Sequence, residues 1–324
     1  MSGGTWQGRD EGGGWFALWL IRFIGLHAGR RPARLLLGPV TLYFFLRRGP
    51  ERRASRDYLR RALGRPARLR ERLRHFHAFA ATTLDRVFLL AQGERGFVFE
   101  ISGLDALLQA LADGRGALLV GAHVGSFEAL RALAGRAPQV RLRLVLDRQQ
   151  TPALNGLLEA LAPDLRGQVI DAARGPLAVL LAMGEAARAG ALLALLGDRT
   201  RAGEAALEAP LLGAPAPFPL APWRIAAVLG VPVLLGCAQY RGHGRYHLRF
   251  QLLASRIELP RAPQARQAAL AACVARYAAE LEALLRENPY DWFNFYDFWQ
   301  APPSAAAAAG DPAAGAAAAD GPRG

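Results

Sequence analysis

His123 and Glu128 stand five residues apart in Gly121-Ala122-His123-Val124-Gly125-Ser126-Phe127-Glu128-Ala129-Leu130-Arg131. Imidazole is the side chain best able to move a proton near neutral pH. A carboxylate that accepts from its second ring nitrogen would fix the tautomer and hold the charge as it forms. Such a pair can deprotonate an attacking hydroxyl, and that hydroxyl can belong to an incoming alcohol, so no enzyme nucleophile is required. Ser126 is the alternative nucleophile, although Gly125-Ser126-Phe127 is not the Gly-x-Ser-x-Gly elbow. The other alternative is structural: a strand-end histidine that only ties down a loop.

Two elements must position this pair. Ala117 to Gly121 reads as a buried strand, and Glu128 to Leu133 as the helix that follows. Along the rest of the chain, strands are expected at 97–101, 140–146, 191–196, 232–239 and 246–252. Helices are expected at 50–63, 67–90, 104–111, 154–161, 176–189, 222–229 and 262–287. This alternation predicts an α/β fold with a mixed, largely parallel sheet and helices on both faces. Ligands bind such sheets outside the carboxyl ends of the strands. His123 falls at that edge. Asp198 and Arg199 end the 191–196 strand at the same edge and are expected to face the same cleft, with turn capping as the alternative for Asp198.

Composition and charge narrow the function. The chain has 324 residues, of which 52% are hydrophobic, enough to bury a large core. Its two cysteines, Cys237 and Cys273, suggest buried thiols in place of a disulfide framework. No zinc-type spacing is present, so neither metal nor cofactor is expected. All 40 basic residues are arginine. Residues 30–74 hold fifteen of them against Glu51, Asp57 and Glu71, which accounts for nearly the whole formal charge of +13. Such density implies a polyanion nearby: nucleic acid, an anionic membrane or an acidic carrier protein. The apolar runs Trp15 to Leu26 and Leu35 to Leu46 favour the membrane. Each is short of the ~20 residues that span hydrocarbon, and both carry interfacial aromatics beside arginine. Residues 1–48 are therefore read as an N-terminal interfacial helical segment, 49–300 as the catalytic domain and 301–324 as a disordered Ala/Pro/Gly tail. No nucleic-acid-binding motif is present.

Four further blocks extend the pattern. Gly197-Asp198-Arg199 follows its strand; Pro210 to Pro219 and Trp223 to Val233 come next; and Asn288 to Trp299 packs six aromatic residues into its last eight. Together with His123 and Glu128, these blocks resemble, in order, the His-x4-Asp/Glu acyltransferases of glycerolipid and late lipid A synthesis. The resemblance implies transfer of a fatty acyl chain from acyl carrier protein, or CoA, to a hydroxyl of a lipid acceptor, at the cytoplasmic leaflet of the inner membrane. It implies His123 as general base with Glu128 as its partner. Substrate contacts would come from Arg148 (after the 140–146 strand, or else a surface partner of Asp147), Asp198, Arg199, Trp292 and Phe295. Asn294-Phe295-Tyr296-Asp297 departs from the arginines usual in lipid A enzymes, which points toward a specialised acceptor such as an aryl-polyene-type pigment lipid. The alternative function is a catalytically inactive lipid-binding protein of the same fold.

Overall fold

The computed structural model describes residues 30–131, 137–147, 168–201 and 203–299. The apolar run at 15–26, Arg148, the helix expected at 154–161 and the tail at 301–324 lie outside the described residues. Four helices come first: α1 (Arg30–Leu35), α2 (Leu37–Arg47), α3 (Gly49–Leu63) and α4 (Leu69–Gln92). Pro50 suits the first turn of α3, and Gly64 closes the helix in the left-handed conformation at φ +65°. Glu71 starts α4. Its carboxylate accepts the Arg68 N–H at 2.7 Å and the Arg65 guanidinium at 2.6 and 3.0 Å.

The remaining elements alternate: β1 (Val98–Ser102), α5 (Leu104–Leu111), β2 (Ala117–Gly121), β3 (Leu142–Leu146), β4 (Val169–Asp171), α6 (Pro176–Arg188), β5 (Leu192–Leu196), β6 (Ala206–Leu211), β7 (Ala214–Pro219), α7 (Ala221–Leu229), β8 (Val233–Tyr240), β9 (Arg245–Ala254) and α8 (Pro263–Glu287). Seven strands form one sheet in the order β1-β9-β8-β2-β5-β3-β4. The run from β8 to β4 is parallel, β9 turns back antiparallel to β8, and β1 lies parallel to β9. This is the mixed, largely parallel α/β sheet that the sequence pattern predicts.

Side-chain alternation sends each central strand into two cores. Leu118, Val120, Leu193 and Leu195 pack with Tyr58 and Leu59 of α3, Met183 of α6, Trp223 of α7 and Tyr277 of α8. Ala117, Leu119, Leu192 and Ala194 face the opposite side, with Leu89 of α4 and Leu107 of α5. Helices therefore cover both faces, which is why the central strands read as uninterrupted apolar runs.

Three local readings change. The described part of the helix expected at 128–133 is 3-10 over Phe127–Arg131, and residues 132 and 133 lie outside the described residues. Strand β4 has only three residues, too few for an alternation to show. The proline-rich block at 210–219 contributes to a hairpin: β6 and β7 pair with Pro210 opposite Pro215, around Leu212 and Gly213 at φ +52° and +81°. A two-stranded ribbon tolerates proline because each strand has an open edge.

Candidate active site

β2 and β5 are neighbours in register, with Gly121 opposite Leu196. The chain leaving their carboxyl ends brings His123 and Asp198 together. His123 Nδ1 lies 2.7 Å from Asp198 Oδ1, and the His123 backbone N–H donates to Oδ2 at 3.0 Å. Trp292 Nε1–H and Asn294 Nδ2–H also donate to Oδ2, at 2.9 and 3.0 Å. Asp198 is wholly buried, so an ionised carboxylate needs all of these partners. With Nδ1–H directed at Asp198, Nε2 is the basic nitrogen. Among the described residues nothing is hydrogen-bonded to it, and a quarter of the His123 side chain is exposed.

The expected pairing of Glu128 with His123 is corrected. Glu128 Oε1 lies 2.7 Å from Arg86 Nε of α4, and Oε2 accepts from the Ser126 hydroxyl at 3.0 Å. Over Phe127–Arg131 the backbone is 3-10 and the Glu128 carboxylate is held toward α4, while the Asp198 strand end meets the imidazole. The same contact disfavours Ser126 as a nucleophile, because its hydroxyl is buried and already donating.

The aromatic closing segment locks the histidine loop. Gly125 N–H donates to the Asp291 carbonyl at 2.8 Å, Ser126 N–H to Ala238 at 3.1 Å, and Phe293 N–H to the His123 carbonyl at 2.8 Å. Gly125 has φ +64°, and a Cβ there would run into the Ala238 carbonyl oxygen. Only glycine fits. Trp292 is fully buried, so it acts on the site through Asp198. Phe295 stacks on His75 at 4.6 Å and meets Phe76 and Phe79. Arg199 donates to Asn294 Oδ1 at 2.6 Å and to the Phe293 carbonyl at 3.1 Å, which ties the second strand end to the same segment. Asp147 pairs with Arg201 at 3.2 Å.

The electrostatics favour a neutral imidazole over an ionised aspartate. Desolvation and the nearby Arg199 and Arg86 lower the His123 pKa, against the opposing pull of Asp198. Burial pushes the Asp198 carboxyl up, but the charges and hydrogen bonds of His123, with Arg199, outweigh it and hold the pKa well below the usual range.

The profile of the bacterial lipid A biosynthesis acyltransferase family matches residues 71–301. The chain belongs to this family. No curated protein matches it at a significant level. The matched span contains His123, Asp198, Arg199 and the whole closing motif, and it begins in the first turn of α4.

Three groups of this acyltransferase's site escape sequence reading. Arg86 is one arginine among many on α4, and only its proximity to Glu128 and His123 distinguishes it. Asn294 reads as a departure from the family's usual residues, yet it binds Asp198 and Arg199 together. His75, which offers no metal spacing with His77, is buried with Nδ1 2.9 Å from the Ser55 hydroxyl and Nε2 2.8 Å from the Trp292 carbonyl. Burial pushes its pKa down to about 4, against the pull of that carbonyl.

Proposed function

We propose that this acyltransferase moves a fatty acyl chain from a thioester, carried by acyl carrier protein or CoA, to a hydroxyl of a membrane lipid. His123 Nε2 takes the hydroxyl proton as the oxygen attacks the thioester carbon. The C–O bond forms, the C–S bond breaks, and the thiolate leaves with the proton returned by the imidazolium. Asp198 orients the ring and stabilises its charge. The observation that carries this reading is the pairing of half-buried His123 with buried Asp198 at the carboxyl edge of the sheet.

The developing oxyanion needs a donor. The N–H groups of Gly125, Ser126 and Ala129 are engaged within the fold, which weighs against a backbone oxyanion hole in this loop. Arg86 is the side chain we assign to that role, with Glu128 holding its guanidinium from one side. Arg199, through Asn294, and Trp292 position the pair. Phe295 belongs to the aromatic wall along which the acyl chain would lie, and Arg148 remains a proposed substrate contact.

Membrane attachment is supported by α1 and α2. Leu37, Thr41 and Phe45 form the buried row of α2, whereas Leu35, Leu42, Tyr43 and Leu46 stand 50% to 81% exposed on the outside. No helix of the described residues is long and apolar enough to cross a membrane. An apolar row flanked by Arg47 and Arg48 suits insertion into the headgroup region of the cytoplasmic leaflet. The acceptor is proposed to be a specialised lipid, with the aryl-polyene type as the leading candidate. Assay of purified full-length protein with carrier-bound and CoA-bound acyl donors, on total lipid from a deletion strain, tests the reading. Absence of any acylated lipid product with both donors would replace it with a lipid-binding role.

A further inference from the structure

α2, α3 and α4 border an open surface cavity of about 280 Å³ lined by Phe45, Gly49, Arg52, Arg53, Arg56 and Arg72. Four arginines line it, and no carboxylate does. The three acidic residues of this segment are engaged elsewhere: Glu51 with Arg48, Asp57 with Arg60 and Glu71 with Arg65. Arg52 donates to the Leu46 carbonyl at 3.1 Å. Arg53, Arg56 and Arg72 have no hydrogen-bonding or ionic partner among the described residues, and Arg72 Nε is buried without one.

Repulsion among these charges would be relieved if the arginines turned outward to water. Two of them stay, because Arg52 and Arg72 lie over the Phe45 ring at 5.6 and 5.9 Å. Phe45 is itself fixed edge-on against Phe76 at 5.2 Å. Gly49 adds the first turn of the fifteen-residue α3 to the lining, with its partial positive charge. The result is a cationic cup that the chain does not neutralise.

Guanidinium groups pair bidentately with phosphate, and several of them favour a dianion over a monoanion. The cavity is slightly smaller than the roughly 300–1,000 Å³ of drug-sized ligand pockets, so it fits a headgroup without its chains. The rim supplies the chain contact: Leu46, whose carbonyl holds Arg52, belongs to the exposed apolar row of α2 with Leu42 and Tyr43. We infer that this pocket binds the phosphate monoester headgroup of a lipid whose acyl chains lie along the exposed row of α2. The site is separate from His123, although an aromatic run joins them. Phe45 touches Phe76, Phe76 meets Phe295 at 4.9 Å, and Phe295 stacks with Phe293, whose N–H holds the His123 carbonyl.

The inference rests on the reading that α2 meets the bilayer, and the experiment separates the two. Full-length protein in nonionic detergent is titrated calorimetrically with dihexanoyl phosphatidic acid, dihexanoyl phosphatidylcholine and inorganic phosphate. Phosphatidic acid is expected to bind and the choline lipid not to. Inorganic phosphate should bind about tenfold more weakly, since burial of about two methylenes is worth that much. Arg56→Gln with Arg72→Gln should weaken phosphatidic acid binding about 25-fold, at roughly fivefold per charge. Arg60→Gln with Arg70→Gln removes the same charge from outside the pocket and should leave affinity nearly unchanged. Equal loss in both double variants would reduce the pocket to diffuse electrostatics. Equal affinity for inorganic phosphate would make it a free-anion site, and no binding of phosphatidic acid would overturn it outright. Flotation on neutral vesicles runs in parallel. Lost flotation with intact titration counts against membrane insertion alone; lost titration with intact flotation counts against this inference alone.

Discussion

The sheet edge and the helical surface solve opposite problems with the same residue types. At the edge, each charge meets its counterpart inside the chain: Asp198 accepts four hydrogen bonds, Glu128 faces Arg86, and Arg199 holds Asn294. On α2, α3 and α4, Arg53, Arg56 and Arg72 find no hydrogen-bonding or ionic partner among the described residues, and Leu42, Tyr43 and Leu46 stand exposed. A site whose dipoles are fixed before substrate arrives lowers a reaction barrier without reorganisation. A surface left uncompensated gains stability only when something outside the chain arrives. Chemistry and attachment therefore leave different signatures, satisfied polar groups in one place and unsatisfied ones in the other.

The sharpest way to break this contrast is at the edge. His123→Ala should lower kcat by about 10²- to 10⁴-fold, with the circular dichroism spectrum unchanged. Asp198→Asn should cost on the same order, because the amide no longer fixes the tautomer that leaves Nε2 basic. Glu128→Gln disturbs the ring only through Arg86 and Ser126 and should cost less than Asp198→Asn. Steady-state kinetics of the three variants decide the matter, and a reversed order of the two carboxylates would make Glu128 the histidine's working partner.

The pH profile adds a sign. Because desolvation, Arg199 and Arg86 lower the His123 pKa, the acid limb of kcat/KM should fall below the ordinary imidazole range. Asp198 pulls in the raising direction, so Asp198→Asn should move the residual limb lower still. A limb that moved upward would mean that Asp198 is not the group paired with the ring.

How much of this was legible follows from where the information sits. His123 and Asp198 end apolar strands, and strand ends at one edge of a parallel sheet converge, so periodicity was enough to bring them to one cleft. Which carboxylate reaches the imidazole was not legible. That depends on whether Phe127–Arg131 is α-helical or 3-10, and the two share the same sequence pattern. Spacing allows Glu128 to pair with His123 and the family resemblance implies it, whereas in the structure the carboxylate lies against Arg86. The β6–β7 hairpin was hidden because its prolines argue against a strand, an argument that holds for central strands and lapses in a two-stranded ribbon. His75 was legible only as a helix residue, since its partners Ser55 and Trp292 are 20 and 217 residues away.

His75 also tests how far the edge depends on its support. Its folded pKa of about 4 lies below the unfolded value of 6.5, so the unfolded chain binds the proton more readily between these values. Stability from a neutral buried His75 is complete above pH 6.5 and falls as pH drops toward 4, by on the order of 3 kcal/mol across the window. Thermal denaturation should therefore show a falling Tm over this range, and His75→Gln should flatten that slope. An unchanged slope would place the acid sensitivity elsewhere.

On the helical surface the effects should be smaller and conditional on partners. Leu42→Ser with Leu46→Ser should shift protein from the membrane pellet toward the soluble fraction by about tenfold or more, and salt alone should release little. Complete release of the unmodified protein by high salt would leave only electrostatics.

The smallest effect expected concerns the acyl donor. An acyl carrier protein is small and acidic and needs an exposed basic surface within reach of the thioester channel. The structure sorts the arginines available for it. Arg65 is engaged with Glu71 and Arg72 lines the pocket, whereas Arg70 is exposed and Arg74 lies exposed over the Tyr290 ring, next to the closing motif. Rim charges of this kind act mainly through association rate. Arg70→Glu with Arg74→Glu should therefore raise the KM for a carrier-bound donor by about threefold to tenfold, with kcat unchanged, since each exposed ion pair is worth at most about 1 kcal/mol. The KM for acyl-CoA should barely move, because CoA lacks the carrier's acidic surface. Assay of both donors in detergent micelles without anionic lipid removes membrane binding as a cause. Equal loss with both donors would mean that these two arginines do not read the carrier's acidic surface.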